Sequence, residues 1–144
     1  MTTNYVLDRC SDEFLLDSYT GRGGYAYGRY LVPHQRETDA KFLERQRLAE
    51  YPNYVRKIIN VYSGFLFQAQ PNREGDDNYA AFLANADGAE QSMDVLMLSY
   101  QRLAMILGTV YLIVDKPSDP ALTKAEEKLP YLALRLPSAL RCSK

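Results

Sequence analysis

One histidine, His34, and two cysteines, Cys10 and Cys142, are the side chains best suited to nucleophilic chemistry or metal ligation in this sequence. A cysteine–histidine pair needs the fold to bring thiol and imidazole together. Neither cysteine lies in a recognised local motif, and His34 follows Pro33 in a predicted turn. One histidine and two scattered cysteines match none of the ligand spacings of a zinc site. Gly21-Arg22-Gly23-Gly24 has the glycine content of a phosphate-binding loop. It lacks the Gly-Lys-Ser/Thr ending and does not open a helix after a strand, so a flexible arm is its plainer role. Arg22 and Arg29 beside Tyr25, Tyr27 and Tyr30 combine charge with stacking rings, as single-stranded nucleic-acid sites do. The formal net charge of -1 supplies no bulk attraction for such a partner. Gly75-Asp76-Asp77-Asn78 and Asp87-Gly88 share the composition of calcium loops but not the EF-hand spacing. Asp115, at the end of a predicted strand, is the carboxylate to watch for acid–base work, and a turn-forming aspartate is the alternative. Met93, Met97 and Met105 sit at helical spacing, a pattern that more often fills a core than lines a groove. No catalytic, cofactor-binding or metal-binding residue is assigned, and a non-enzymatic role is expected.

The elements that must carry these residues are those of one soluble globular chain. Its 144 residues suit a single domain. No apolar run approaches the ~20 residues of a membrane-spanning helix, so no membrane partner is expected. Asp8, Asp12 and Glu13 near the start argue against a secretory signal. Two distant cysteines are expected as free thiols in a reducing compartment. Twelve tyrosines and no tryptophan give many rings with polar tips, suited to half-buried surfaces or to interfaces.

Residues 12–17 have the makings of a short helical turn. Residues 21–33 alternate aromatic and small side chains, which predicts a short extended segment ending at Pro33. A helix is predicted from Thr38 or Asp39 toward Tyr51, with a thin apolar stripe and a stop before Pro52. Val55, Ile58, Ile59, Tyr62, Phe65 and Leu66 repeat at helical spacing and predict a second helix over 53–67. Gly64 inside it implies a tight helix contact or a kink. Residues 70–78 read as a loop, 79–84 as a short helix and 85–88 as a turn. The third main helix begins after Ser92 and ends at Gly108. Its apolar residues run almost all round, which predicts a buried helix. Thr109 to Asp115 then reads as a central strand, Ala121 to Lys128 as a charged helical connector, and Pro130 to Pro137 as a second strand. The expected class is α+β, helices packed on a small sheet. The expected organisation is an N-terminal arm over 1–36, a helical and strand core over 37–137, and an irregular tail over 138–144.

Three ordered stretches carry a family resemblance. The first is Tyr30-Leu31-Val32-Pro33, Glu37, Phe42-Leu43-Glu44-Arg45, leading into Tyr51-Pro52-Asn53-Tyr54-Val55-Arg56-Lys57-Ile58-Ile59-Asn60. The second is Val61-Tyr62-Ser63-Gly64-Phe65-Leu66-Phe67, then Pro71. The third is Asn85-Ala86-Asp87-Gly88, Ser92, then Leu107-Gly108-Thr109-Val110-Tyr111-Leu112-Ile113-Val114-Asp115-Lys116-Pro117. Their order and spacing over about residues 25–136 resemble the front, wing-like portion of tailed-phage and prophage portal proteins. The resemblance implies a structural virion protein, the head-to-tail connector used in viral DNA packaging and ejection. It implies a ring, commonly a dodecamer, whose partners are other portal subunits, the capsid and the terminase, with DNA met only through the assembled channel. The implied location is the virion, and the bacterial host cytoplasm during assembly. Ser138 to Lys144 does not resemble the clip, stem and crown that follow in the family. A truncated prophage remnant, a frame-shifted product or a fragment of a portal protein is therefore expected, with a small phage- or prophage-encoded interaction module, or an inert remnant, as the alternative.

Overall fold

The computed structural model describes residues 12–117 and 129–140. Helix α1 covers residues 12–20. It is followed by α2 (Asp39–Leu48), α3 (Tyr54–Leu66), α4 (Asp77–Ala84) and α5 (Met93–Leu107). Strands β1 (Tyr111–Asp115) and β2 (Tyr131–Arg135) pair antiparallel with Ile113 opposite Ala133, and a short α6 (Pro137–Leu140) closes the described chain. The fold class is α+β, with helices and a small two-stranded sheet. The chain divides into two compact units, Met1–Val61 and Tyr62–Lys144, and the division falls inside α3. Cys10, Cys142 and the predicted connector Ala121 to Lys128 lie outside the described residues. The predicted irregular tail begins instead inside α6, because Pro137 is compatible with a first helical turn.

In the first unit, the segment after α1 corrects the extended reading of 21–33. Its first ten residues form consecutive tight turns. Gly21, Gly23 and Gly28 take positive φ, at 68°, 58° and 61°. Only glycine adopts such angles readily, so glycine spacing outweighs aromatic alternation here. The turns are closed by Gly21 N–H to Asp17 O at 2.8 Å and Arg29 N–H to Gly24 O at 2.8 Å. The last carbonyls of a helix lack intrahelical donors. For α1 they are served from a distance in sequence. The Tyr51 hydroxyl donates to Ser18 O at 2.9 Å, and the Asn53 amide donates to Tyr19 O at 2.8 Å. This docks the segment before α3 onto the end of α1. Asn53 Oδ1 also accepts from Arg56 N–H at 2.9 Å, holding the first turn of α3. α2 starts at Thr38 as expected but stops at Leu48, short of Tyr51, and buries no residue fully. Arg45 on α2 holds the 32–37 loop, donating to both carboxylate oxygens of Glu37 and to Val32 O.

In the second unit, the core is small: Ala86, Leu96, Tyr100 and Leu132, with Phe82, Met93, Met97 and Leu134 packed around it. Ala86, with no exposed surface, ties three pieces together. Its N–H donates to Gln91 O at 2.8 Å, and its carbonyl accepts from Leu132 N–H at 2.7 Å. Asp76 caps α4 by accepting from Tyr79 N–H. Gly108 ends α5 in the left-handed conformation, φ 76°, and β1 begins three residues later. Two expectations are overturned. α5 is buried on one side only, at Leu96, Tyr100 and Ile106, while Val95 and Met105 are exposed. Among the described residues β1 is not central, since a two-stranded sheet has no interior strand, and all five of its residues are exposed. A sheet with two strands gives α5 too little to be buried against on every side. Of the tight contact or kink expected at Gly64, the contact is not found among the described residues, where a Cβ would meet nothing within 4 Å.

Candidate interaction surfaces

Of the residues singled out for chemistry, those among the described residues make the following contacts. His34 is exposed; its Nδ1 accepts from Arg36 N–H at 3.3 Å and its own N–H donates to Glu37 at 3.1 Å. The glycine-rich turn turns its amide inward, Gly24 N–H donating to Asp17 Oδ2 at 2.9 Å. Asp17 also accepts the Tyr30 hydroxyl at 2.7 Å. These two bonds hold the Asp17 carboxyl below its usual range, and the same bond pushes the Tyr30 phenol up to about 12. The anion that this loop binds is therefore a side chain of its own unit. Tyr25 and Tyr30 do not stand free in solvent as a strand of stacked bases would require. They pack with Phe14 and Tyr51 in a ring cluster, Tyr25 stacked on Tyr51 with centroids 3.9 Å apart. Tyr27 alone of that trio stands out in solvent, 82 % exposed. Sequence reading passed over Phe14 and Tyr51 as members of this cluster, since they lie 11 residues before Tyr25 and 26 residues after it.

The carboxylates of the second unit likewise serve turns. Asp87 Oδ1 accepts from Ala89 and Gln91 N–H groups, which lowers its carboxyl pKa. Asp115 accepts from its neighbour Lys116 N–H and from the Tyr131 hydroxyl at 3.0 Å across the strand pair, and that bond raises the Tyr131 phenol. Among the described residues no cluster of three His, Cys, Asp or Glu groups is arranged to hold a metal. No helix among them is long and apolar enough to cross a membrane.

What the structure does bring to its surface is apolar. On α3 the inner positions are Ile59 and Ser63, the latter with no exposed surface and donating to Gln101 at 3.0 Å. The strong apolar stripe lies elsewhere: Ile58, Val61, Tyr62, Phe65 and Leu66 are each more than half exposed. An amphipathic helix normally turns such a stripe to its own core. β1 repeats the pattern, with Tyr111, Leu112, Ile113 and Val114 all exposed. Among the described residues β1 pairs with β2 alone, on one edge. An apolar strand with an open edge is a template for a further strand. Contiguous exposed apolar surface of this kind marks association sites. No family model, curated protein or solved structure matches the chain.

Proposed function

We propose that this chain is a structural assembly subunit of the tailed-phage portal type, contributing a wing-like portion to a ring. The observation that carries the reading is the exposure of the apolar faces of α3 and β1. α3 carries the end of the first and most of the second of the stretches that resemble portal proteins, β1 carries part of the third, and apolar faces of this kind suit a subunit that packs against neighbours in a ring. Rings are built from head-to-tail contacts between different faces of identical subunits, so two distinct sticky faces suit the role. The partners under this reading are other portal subunits, with capsid and terminase beyond them. The site of action is the virion and, during assembly, the bacterial cytoplasm. The role is structural and not enzymatic.

Mass photometry and negative-stain imaging of the purified chain test this reading. Closed oligomers that Phe65→Ser or Val114→Lys dissolve are the expected result. A strict monomer that also fails to join rings of a related portal overturns it. The open edge of β1 favours a second reading, an interaction module that adds its strand to another virion protein. A pull-down from infected-cell lysate that recovers a virion protein only when β1 is intact would support that reading over the ring.

A further inference from the structure

The ring cluster of the first unit borders a cavity of about 350 Å³. Its walls include Phe14, Tyr25, Tyr30 and Tyr51, and Glu50 stands exposed beside them. A cleft of this size, in the range of small-ligand sites, needs a ligand matched to its lining. All three phenol hydroxyls are already engaged within the protein. Tyr51 donates to Ser18 O, Tyr30 donates to Asp17, and Tyr25 shares a hydrogen bond with the Ser18 hydroxyl at 3.0 Å. What these side chains leave for a ligand is carbon surface of the rings, with Leu31 and Ala49 beside them, together with the Glu50 carboxylate. Such a lining offers little to a neutral polar molecule and repels an anion. It suits a cation that carries its charge on methyl groups and has no hydrogen to donate, because aromatic faces attract cations through their quadrupole. The bond from Tyr30 to the Asp17 carboxylate strengthens that attraction by pushing electron density into the Tyr30 ring. Arg29 is the nearby competing cation, and its guanidinium is drawn outward to Glu13, 4.0 Å away.

We propose that this cavity binds a quaternary ammonium group, held by the ring surface that Phe14, Tyr25, Tyr30 and Tyr51 present to the cavity and balanced by Glu50. The site is independent of the assembly reading and stands whether or not the chain forms rings. Choline, followed by NMR titration of the full chain, is the direct probe, with 3,3-dimethyl-1-butanol as its uncharged isostere. Saturable shifts at the Gly24–Leu31 and Glu50–Tyr51 amides are expected, with choline binding about tenfold tighter than the alcohol. Glu50→Gln, a surface change that leaves the ring packing intact, is expected to weaken choline binding ~3-fold. No saturable shift, shifts located elsewhere, or equal affinity for the neutral isostere would overturn the proposal. The comparison of two ligands on the unaltered chain does not depend on any variant folding.

Discussion

Asp17 shows how one carboxylate organises a stretch of chain that has no regular structure. It receives Gly24 N–H and the Tyr30 hydroxyl, and Gly23 lies against it. A Cβ at Gly23 would run into the Asp17 carboxylate, at a φ of 58° that side chains rarely adopt. Gly23→Ala is therefore expected to destabilise the first unit by at least ~1–2 kcal/mol, measured by denaturant unfolding. Titration follows from the same contacts. The carboxyls of Asp17 and Glu37 are depressed, Glu37 to about 2 by the paired Arg45 and the His34 amide. A depressed carboxyl contributes stability that is present above its unfolded pKa of ~4 and is lost as pH falls through the folded value. Stability should therefore decline from about pH 5 toward pH 2, and Glu37→Gln should flatten that acid limb. Tyr30 acts with the opposite sign. Its phenol keeps its proton to about 12, so its contribution is full below pH ~10 and is lost as pH rises toward 12. Monitoring tyrosinate absorbance at alkaline pH, Tyr30→Phe should remove the latest-titrating component.

At the scale of elements, two helical glycine questions separate by sign. Gly108 ends α5 at positive φ, whereas Gly64 lies within α3 with open space where a Cβ would stand. Gly64→Ala should therefore raise stability by ~0.5–1 kcal/mol, read from the unfolding midpoint. A loss on that substitution would mean that an unoccupied face of α3 is covered in solution. The same contrast shows what the sequence makes legible. Asn53, which accepts from Arg56 N–H, and Gly108, in the left-handed conformation, mark helix ends through local chemistry, while Thr38 precedes α2 without a side-chain cap bond. The pairing of Tyr111–Asp115 with Tyr131–Arg135 is readable from two β-rich runs. Which side faces inward is not local. The apolar periodicity of α3 and β1 specifies a helix and a strand but does not say whether the covering surface belongs to the same chain. Exposed Val114 is where the expectation of a central strand fails, and exposed Phe65 lies on a face about which periodicity alone says nothing. Residues 21–30 show the reverse, since three glycines at positive φ outweigh the aromatic alternation that points to an extended segment.

At the scale of the molecule, each compact unit depends on its own small set of contacts. The first is held by the Phe14, Tyr25, Tyr30 and Tyr51 rings and the hydrogen bonds from Tyr51 and Asn53 to the end of α1. The second is held by Leu96, Tyr100 and Leu132 around Ala86, with Arg73 on Asp94 at 2.6 Å tying the long loop to α5. Neither list draws on residues of the other unit. Leu96 is 5 % exposed, so Leu96→Ala empties a core position, and large-to-small changes of this kind cost ~2–5 kcal/mol. A core of so few buried side chains has little with which to close the gap. The expected outcome, by hydrogen–deuterium exchange, is loss of protection in α5, β1 and β2. Protection in α1 and in the Gly21–Leu31 turns should stay unchanged, because stability is local to cooperative units. Simultaneous loss in both regions would mean that the chain unfolds as one body, with α3 transmitting the damage across the division at Val61 and Tyr62. For an assembly subunit the separate outcome has a consequence. Contacts made by neighbours on β1 and on the Tyr62–Leu66 end of α3 would then stabilise the second unit by mass action, while the first unit kept its own stability.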